Sequence, residues 1–193
     1  MVACRLYIFD AASGELMPGR LSEAIMTGRE KKKAHTETTA ELVMPGVTNI
    51  IGTMYGGDVL KKMDLVASLA ALRFARKSVV TASTDAVDFH EPIRPGHIVE
   101  WNARVVLTGT TSMVIKIEVY GEEPLSGARY HCCTAFFTFV AIGEGDRPVI
   151  VPELVIESPE EQSDAERAKQ VRSSAMARLK MVRESPIKRT MDR

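Results

Sequence analysis

Asn49-Ile-Ile-Gly-Thr-Met-Tyr-Gly-Gly-Asp-Val-Leu-Lys-Lys-Met-Asp64 is the stretch whose reading decides the fold. It reads as a loop, a Gly56-Gly57 step and the start of a long helix. No proline or glycine interrupts Asp58 to Lys77, so a helix is expected over that span. At about 100° per residue, Val59, Leu60, Met63, Val66, Ala67, Ala70, Ala71 and Phe74 fall on one apolar face. Asp64 lies at the margin of that face, about 80° from its centre. Leu65, Leu69 and Leu72 form a second apolar strip on the far side. A helix apolar on two sides is buried on two sides, so self-association is expected.

The two glycines leave backbone N–H groups bare where the helix dipole favours negative charge. Asp64 lies about 10 Å of helix rise beyond them. That is too far for both to meet one carbonyl from a single helix. Shared chemistry therefore requires a bent substrate path or a second copy of the chain.

Outward from this stretch, the pattern is that of strands. Before it, Thr36 to Met44 alternates in character and is closed by Pro45-Gly46. After it come four long runs: Ser78 to Phe89, His97 to Leu107, Ser112 to Tyr120 and Ala128 to Ile142. In the second, Val99, Trp101, Ala103, Val105 and Leu107 share a face. In the third, Met113, Ile115, Ile117 and Val119 do. The fourth carries Phe136, Phe137 and Phe139 with small residues on both faces, as in a strand covered on both sides. The connections are too short for parallel crossovers, so successive strands are antiparallel neighbours. One long helix and a meander of about five strands make an α+β domain, with the sheet wrapped around the central helix.

The ends differ in character. Residues 1–34 read as an N-terminal extension, loosely docked, whose Arg29-Glu-Lys-Lys-Lys33 run is a solvated segment rather than a binding patch. Residues 35–152 form the domain. Residues 153–193 read as an acidic linker followed by a basic helix from Asp164 to about Glu184.

At 193 residues, with 45% hydrophobic and 26% charged residues, the composition is ordinary for a globular protein. The formal net charge is zero, which argues against nucleic acid or a membrane surface as partner. Three cysteines make neither a disulfide framework nor a zinc site. Neighbours on a strand point to opposite faces, so Cys132 and Cys133 are expected as one core and one surface thiol. His35, His90, His97 and His131 show no metal spacing, and no metal is expected. With no secretory leader pattern at the start and no uncharged apolar span, the expected location is the cytoplasm.

Asn49, Gly52, Tyr55-Gly56-Gly57, Leu60 and Met63-Asp64 together resemble the hotdog-fold acyl-CoA thioesterases of the cytoplasmic acyl-CoA hydrolase type. The likeness continues in order through Ala82-Ser-Thr-Asp-Ala-Val-Asp-Phe89, Pro92-Ile-Arg-Pro-Gly96, Val99-Glu100, Gly109-Thr-Thr-Ser-Met113 and Phe137-Thr-Phe-Val-Ala141. It covers roughly residues 36–152. The resemblance implies a hotdog fold that pairs into a double hotdog, and then a hexamer built as a trimer of dimers. It implies hydrolysis of acyl-CoA to free acid and CoA, with CoA as part of substrate and product and no other cofactor.

Carried over by position, the resemblance makes Asp64 the catalytic acid, as general base or nucleophile, and Asn49 its partner across the dimer interface. Gly57, with Gly56, becomes the oxyanion donor. Tyr55 would contact the acyl group, and Thr111 and Ser112 would line the pantetheine channel. Arg167, Lys169 and Arg172 are candidates for the CoA phosphates. Two rival readings are weaker. A dehydratase of the same fold wants a His close to the Asp, and none stands near Asp64. A non-catalytic acyl-CoA-binding regulator has no need of both Asn49 and Asp64.

Overall fold

The structure, a computed structural model, describes residues 28–184. Strand β1 (Lys31–Lys32) and β2 (Glu37–Leu42) precede helix α1 (Gly56–Ala75). Strands β3 (Ser78–Thr84), β4 (Ile98–Thr108), β5 (Ser112–Glu122) and β6 (Arg129–Ile142) follow, then β7 (Glu153–Leu154) and α2 (Pro159–Glu184). The five long strands form an antiparallel sheet in the order β2-β4-β5-β6-β3. Chain segments 1–27 and 185–193 lie outside the described residues.

The core forms between α1 and the inner face of this sheet. Val59, Met63, Val66, Ala67, Ala70, Ala71 and Phe74 are buried, and Leu60 packs at the edge, as the helical spacing requires. They meet Val99, Trp101, Ala103, Met113, Ile115, Ile117 and Val119, all fully buried. The second strip stays bare: Leu65, Leu69 and Leu72 are 54%, 37% and 40% exposed.

Departures from the sequence expectations trace to bulges and caps. The register of β4 against β5 shifts between Val105 and Leu107. Val106 therefore turns to the outer face, where Leu107 also packs, against Val114, Phe136, Ala168 and Val171. Phe136 lies on that outer face and Phe137 and Phe139 on the inner one, so β6 is covered on both sides. Strand β3 ends at Thr84 rather than Phe89. Beyond it the chain follows β6 irregularly, through Asp85 N–H to Phe136 O and His90 N–H to Cys132 O.

The expectation of one core and one surface thiol is corrected. Val119 pairs with Cys133 and Tyr120 with His131, which leaves Cys132 as the extra residue of a bulge. The alternation fails there, and both thiols are fully buried. Burial pushes the Cys132 thiol up to about 11 and the Cys133 thiol up to about 12. A raised thiol value contributes stability below the ordinary 9.0 that is lost as pH rises through the folded values. Urea midpoints are thus expected to fall between pH 9 and 12. An aromatic disulfide reagent at pH 8 should modify Cys132 and Cys133 only on unfolding. Rapid modification of either in the folded protein would contradict their placement.

The basic run Arg29–Lys33, which contains β1, is stapled to the domain through Arg29 and Lys32, while Lys31 and Lys33 stay exposed as a solvated segment would be. Arg29 donates to the carbonyls of Val151 (3.0 Å), Gly109 (2.8 Å) and Pro152 (3.1 Å). Lys32 Nζ donates to Phe74 O at 2.7 Å and Arg73 O at 3.1 Å, a cation on the last carbonyls of α1. Lys31 and Lys32 pair in parallel with Glu153 and Leu154. The end of the N-terminal extension and the start of the acidic linker are thus docked together.

Helix α2 starts at Pro159, ahead of the expected Asp164. Ser158 Oγ accepts from Glu161 N–H (3.1 Å), and Glu161 accepts from Ser158 N–H (3.3 Å). This capping box, with Pro159 at the first helical position, was readable in Ser158-Pro-Glu-Glu161. Backbone donors at Glu157 and Ser158 hold the Glu161 carboxyl below its usual value.

Candidate active site

The loop before α1 is built around Asn49. Its Oδ1 accepts from Ile51 N–H (3.0 Å) and Thr53 N–H (3.1 Å), and its Nδ2 donates to Thr53 Oγ1 (2.9 Å). Backbone bonds from Asn49 N–H to Thr53 O and from Gly52 N–H to Asn49 O close the turn. Gly52 adopts φ 74°, a left-handed conformation that favours glycine. The tip of this loop is apolar and bare, with Ile50 101% and Ile51 77% exposed.

Tyr55 caps the start of α1 through its backbone, without a side-chain bond, and its ring is half exposed. The first turn's bonds begin with Asp58 N–H and Val59 N–H, both donating to Tyr55 O. The Gly56 and Gly57 N–H groups have no backbone acceptor among the described residues. Space around Gly57 is open, whereas a Cβ on Gly56 would lie 3.4 Å from the Phe89 ring. The helix tip thus offers two donors at its positive end.

Asp64, two turns further on, is half-buried, and Thr81 Oγ1 donates to its Oδ1 at 2.7 Å. That bond crosses from α1 to β3, one of the sheet's two edge strands. Thr81 is the residue that reading the sequence missed. It sat unremarked inside a predicted strand, and no local spacing links it to Asp64. Asp64 also opens on a groove of about 740 Å³ along the outer side of α1, whose apolar wall includes Leu42, Met44, Val47, Met54 and Leu65. Asn49 does not line this groove. Within one protomer its side chain is occupied by its own loop.

The remaining candidates fall in two places. Thr111 and Ser112 lie at the β4–β5 turn, closed by Gly109 N–H to Ser112 O at 2.7 Å. A Cβ on Gly109 would meet Ser112 Oγ at 2.7 Å and Arg172 Nη1 at 2.8 Å, so the Arg172 guanidinium rests on this turn. Arg167 and Lys169 are exposed and point away from the sheet-facing side of α2. The structure therefore joins Arg172 to Thr111 and Ser112, and separates Arg167 and Lys169 from them. Among the described residues no cluster of His, Cys, Asp or Glu has metal-binding geometry.

Residues 51–128 match the thioesterase superfamily model. An uncharacterised acyl-CoA thioester hydrolase of Bacillus subtilis is 40% identical over 119 residues, which span 62% of this chain and 69% of that protein. The chain belongs to the hotdog-fold acyl-CoA thioester hydrolase family. The rat cytosolic acyl coenzyme A thioester hydrolase is 35% identical over 130 residues, and the chain spans about a third (34%) of that protein's length. Among solved structures, an apo-hexameric acyl-CoA thioesterase superposes with a TM-score of 0.75 at 33% identity, over 78% of this chain and 97% of the other. The acyl-CoA hydrolase of Staphylococcus aureus, solved with butyryl coenzyme A, coenzyme A and coenzyme A disulfide, superposes with a TM-score of 0.75 at 29% identity. That match covers 80% of this chain and 95% of the other.

The S. aureus hydrolase has also been solved with an aspartate, an asparagine or a threonine replaced by alanine. Its asparagine stands fifteen residues before the aspartate, and its threonine seventeen after. Asn49, Asp64 and Thr81 repeat that spacing. The hotdog sheet of this hydrolase family member is what brings the second and third of these side chains into contact.

Proposed function

We propose that this chain hydrolyses acyl-CoA to the free acid and CoA, at a site completed by a second copy of itself. The contact between Asp64 and Thr81 is the observation that carries this reading. Thr81 orients one carboxylate oxygen and leaves the other to take a proton from water. The resulting hydroxide attacks the thioester carbonyl carbon. The oxyanion that forms faces the Gly56 and Gly57 N–H groups of the second copy, since those of the same helix lie about 10 Å from Asp64. Collapse breaks the C–S bond, and Asp64 returns its proton to the departing CoA thiolate.

Asn49 enters from the partner copy. Its loop presents two bare isoleucines, the kind of surface that is covered in an assembly. The free edge of β3 and the strip Leu65, Leu69 and Leu72 supply the rest of the pairing surface. Two copies joined along β3 make a double hotdog, and three such pairs make a hexamer like those of the relatives described as hexameric. Thr111 and Ser112 line the path of the pantetheine arm, with Tyr55 against the acyl group. Arg172 sits closest to the path's outer end, and Arg167 and Lys169 add positive charge further out for the CoA phosphates.

The location proposed is the cytoplasm. No helix among the described residues is long and apolar enough to cross a membrane, and the rat relative is named cytosolic. Thiol release from a panel of acyl-CoAs of graded chain length tests the activity. Turnover of at least one CoA ester is the expected result. Binding of CoA esters without turnover of any would instead indicate a non-catalytic acyl-CoA-binding regulator.

A further inference from the structure

The proposed chemistry leaves one aromatic ring beside the tip of α1 without a role. Phe89 lies in the irregular segment between β3 and β4, and that segment is pinned on both sides of it. Before it, Asp85 N–H donates to Phe136 O at 3.0 Å and Val87 packs against the core. After it, His90 N–H donates to Cys132 O at 2.8 Å. Ile93, buried, then accepts from Met54 N–H at 2.8 Å, which ties the segment to the loop that enters α1. The backbone on either side of the ring is therefore fixed, yet the core does not enclose it: Phe89 is 48% exposed.

The ring is set against the helix tip. Its far edge, Cζ and Cε2, lies 3.4 and 3.5 Å from where a Cβ on Gly56 would stand. That puts Cζ within about 6 Å of the Gly56 nitrogen, whose N–H is one of the two bare donors. Tyr55, also half exposed, directly precedes the same donors. Bare donors beside bare carbon surface make the mixed lining of a ligand site. A carbonyl oxygen held about 2.9 Å from the Gly56 nitrogen brings its attached carbons into the space that the ring borders.

We propose that Phe89 is a specificity-determining residue of the hydrolase site: its ring limits the width beside the thioester carbonyl and selects straight acyl chains over chains branched at the α-carbon. This rests on the reading of Gly56 and Gly57 as oxyanion donors. Phe89 travels with the glycines of its own copy and so faces the Asp64 of the other. A methyl branch needs the room that the ring occupies, whereas a straight chain lies along it.

Thiol release from each straight-chain CoA ester that wild type hydrolyses, and from its 2-methyl counterpart, tests this in wild type, Phe89→Leu and Phe89→Ala. Wild type should favour the straight chain by at least about tenfold in kcat/KM. Phe89→Ala should cut that ratio about tenfold, and Phe89→Leu should cut it less, in the same direction. Free CoA has no acyl group and should inhibit all three with the same Ki. A ring that only props up the fold would lower both esters alike. A ratio unchanged in both variants, or a wild type indifferent to branching, would overturn the role of Phe89 and leave hydrolysis standing. If circular dichroism shows Phe89→Ala unfolded, the ratio in Phe89→Leu decides. A wild type that turns over no ester would overturn the hydrolase reading itself.

Discussion

Asp64→Asn is expected to lower kcat for acyl-CoA hydrolysis by about a thousandfold, with KM changed by no more than about twofold. The amide keeps the size of the carboxylate and still accepts the Thr81 hydroxyl that now sits 2.7 Å from Asp64 Oδ1. What it loses is the ability to take a proton from water. The loss should therefore appear in turnover and not in binding. Thr81→Val should cost less, about tenfold in kcat, because the base remains and only its orientation loosens. Steady-state thiol release with a saturating CoA ester measures both. A loss below about tenfold for Asp64→Asn would remove Asp64 from the chemistry.

The second large effect is on stability and concerns the joint between α2 and the sheet. Asp164, Arg104 and Lys116 form a cluster whose side chains are 9%, 24% and 14% exposed. Glu161 joins it through Arg104 at 3.3 Å and Glu118 through Lys116 at 3.3 Å. Burial by itself pulls the Lys116 ammonium down, but Asp164 and Glu118 together outweigh it, so the net direction is up. Asp164→Ala leaves two cations under the helix without their shared carboxylate. The expected cost is about 3 kcal/mol, because an uncompensated buried charge is far worse than a missing pair. For a chain of this size that lowers Tm by about 10 °C.

The pH dependence of that difference follows from the raised lysine. A raised folded value means the stabilisation is complete below the ordinary 10.5 of Lys116 and is lost as pH rises through the folded value. The gap between wild type and Asp164→Ala should therefore narrow above pH 10.5. Replacing all three charges by Met, Met and Leu should recover much of the loss, since an apolar joint needs no partner. A Tm within about 1 °C of wild type for Asp164→Ala would show that the cluster contributes nothing.

Much of this architecture was legible because periodicity carries it. The buried face of α1 follows from helical spacing, and Met113, Ile115, Ile117 and Val119 follow from strand alternation. Alternation fails where a residue is inserted, and neither the Val106 turn to the outer face nor the inward pair Cys132 and Cys133 leaves a mark in the composition. The docking of Arg29 and Lys32, within the basic run, was missed for a different reason. Arg29 and Lys32 bond to carbonyls up to 123 residues away, and charge density alone says nothing of such partners.

The site was legible in the same uneven way. Asn49, Gly56, Gly57 and Asp64 stand together in one short stretch, so pattern found them. Thr81 joins them only through the packing of α1 on β3. The distance along the helix between the glycine step and Asp64 already required a second contributor. The bare tip at Ile50 and Ile51 now indicates which loop supplies it.

Subunit complementation tests this shared site most directly. Asn49→Ala and Asp64→Ala should each be almost inactive alone, and their mixture, unfolded and refolded together, should regain activity. Random pairing makes about half of the pairs mixed, each with one intact site of two, so about a quarter of wild-type activity should return. A mixture no more active than its parents, with mixed pairs shown to form, would contradict a site drawn from two copies.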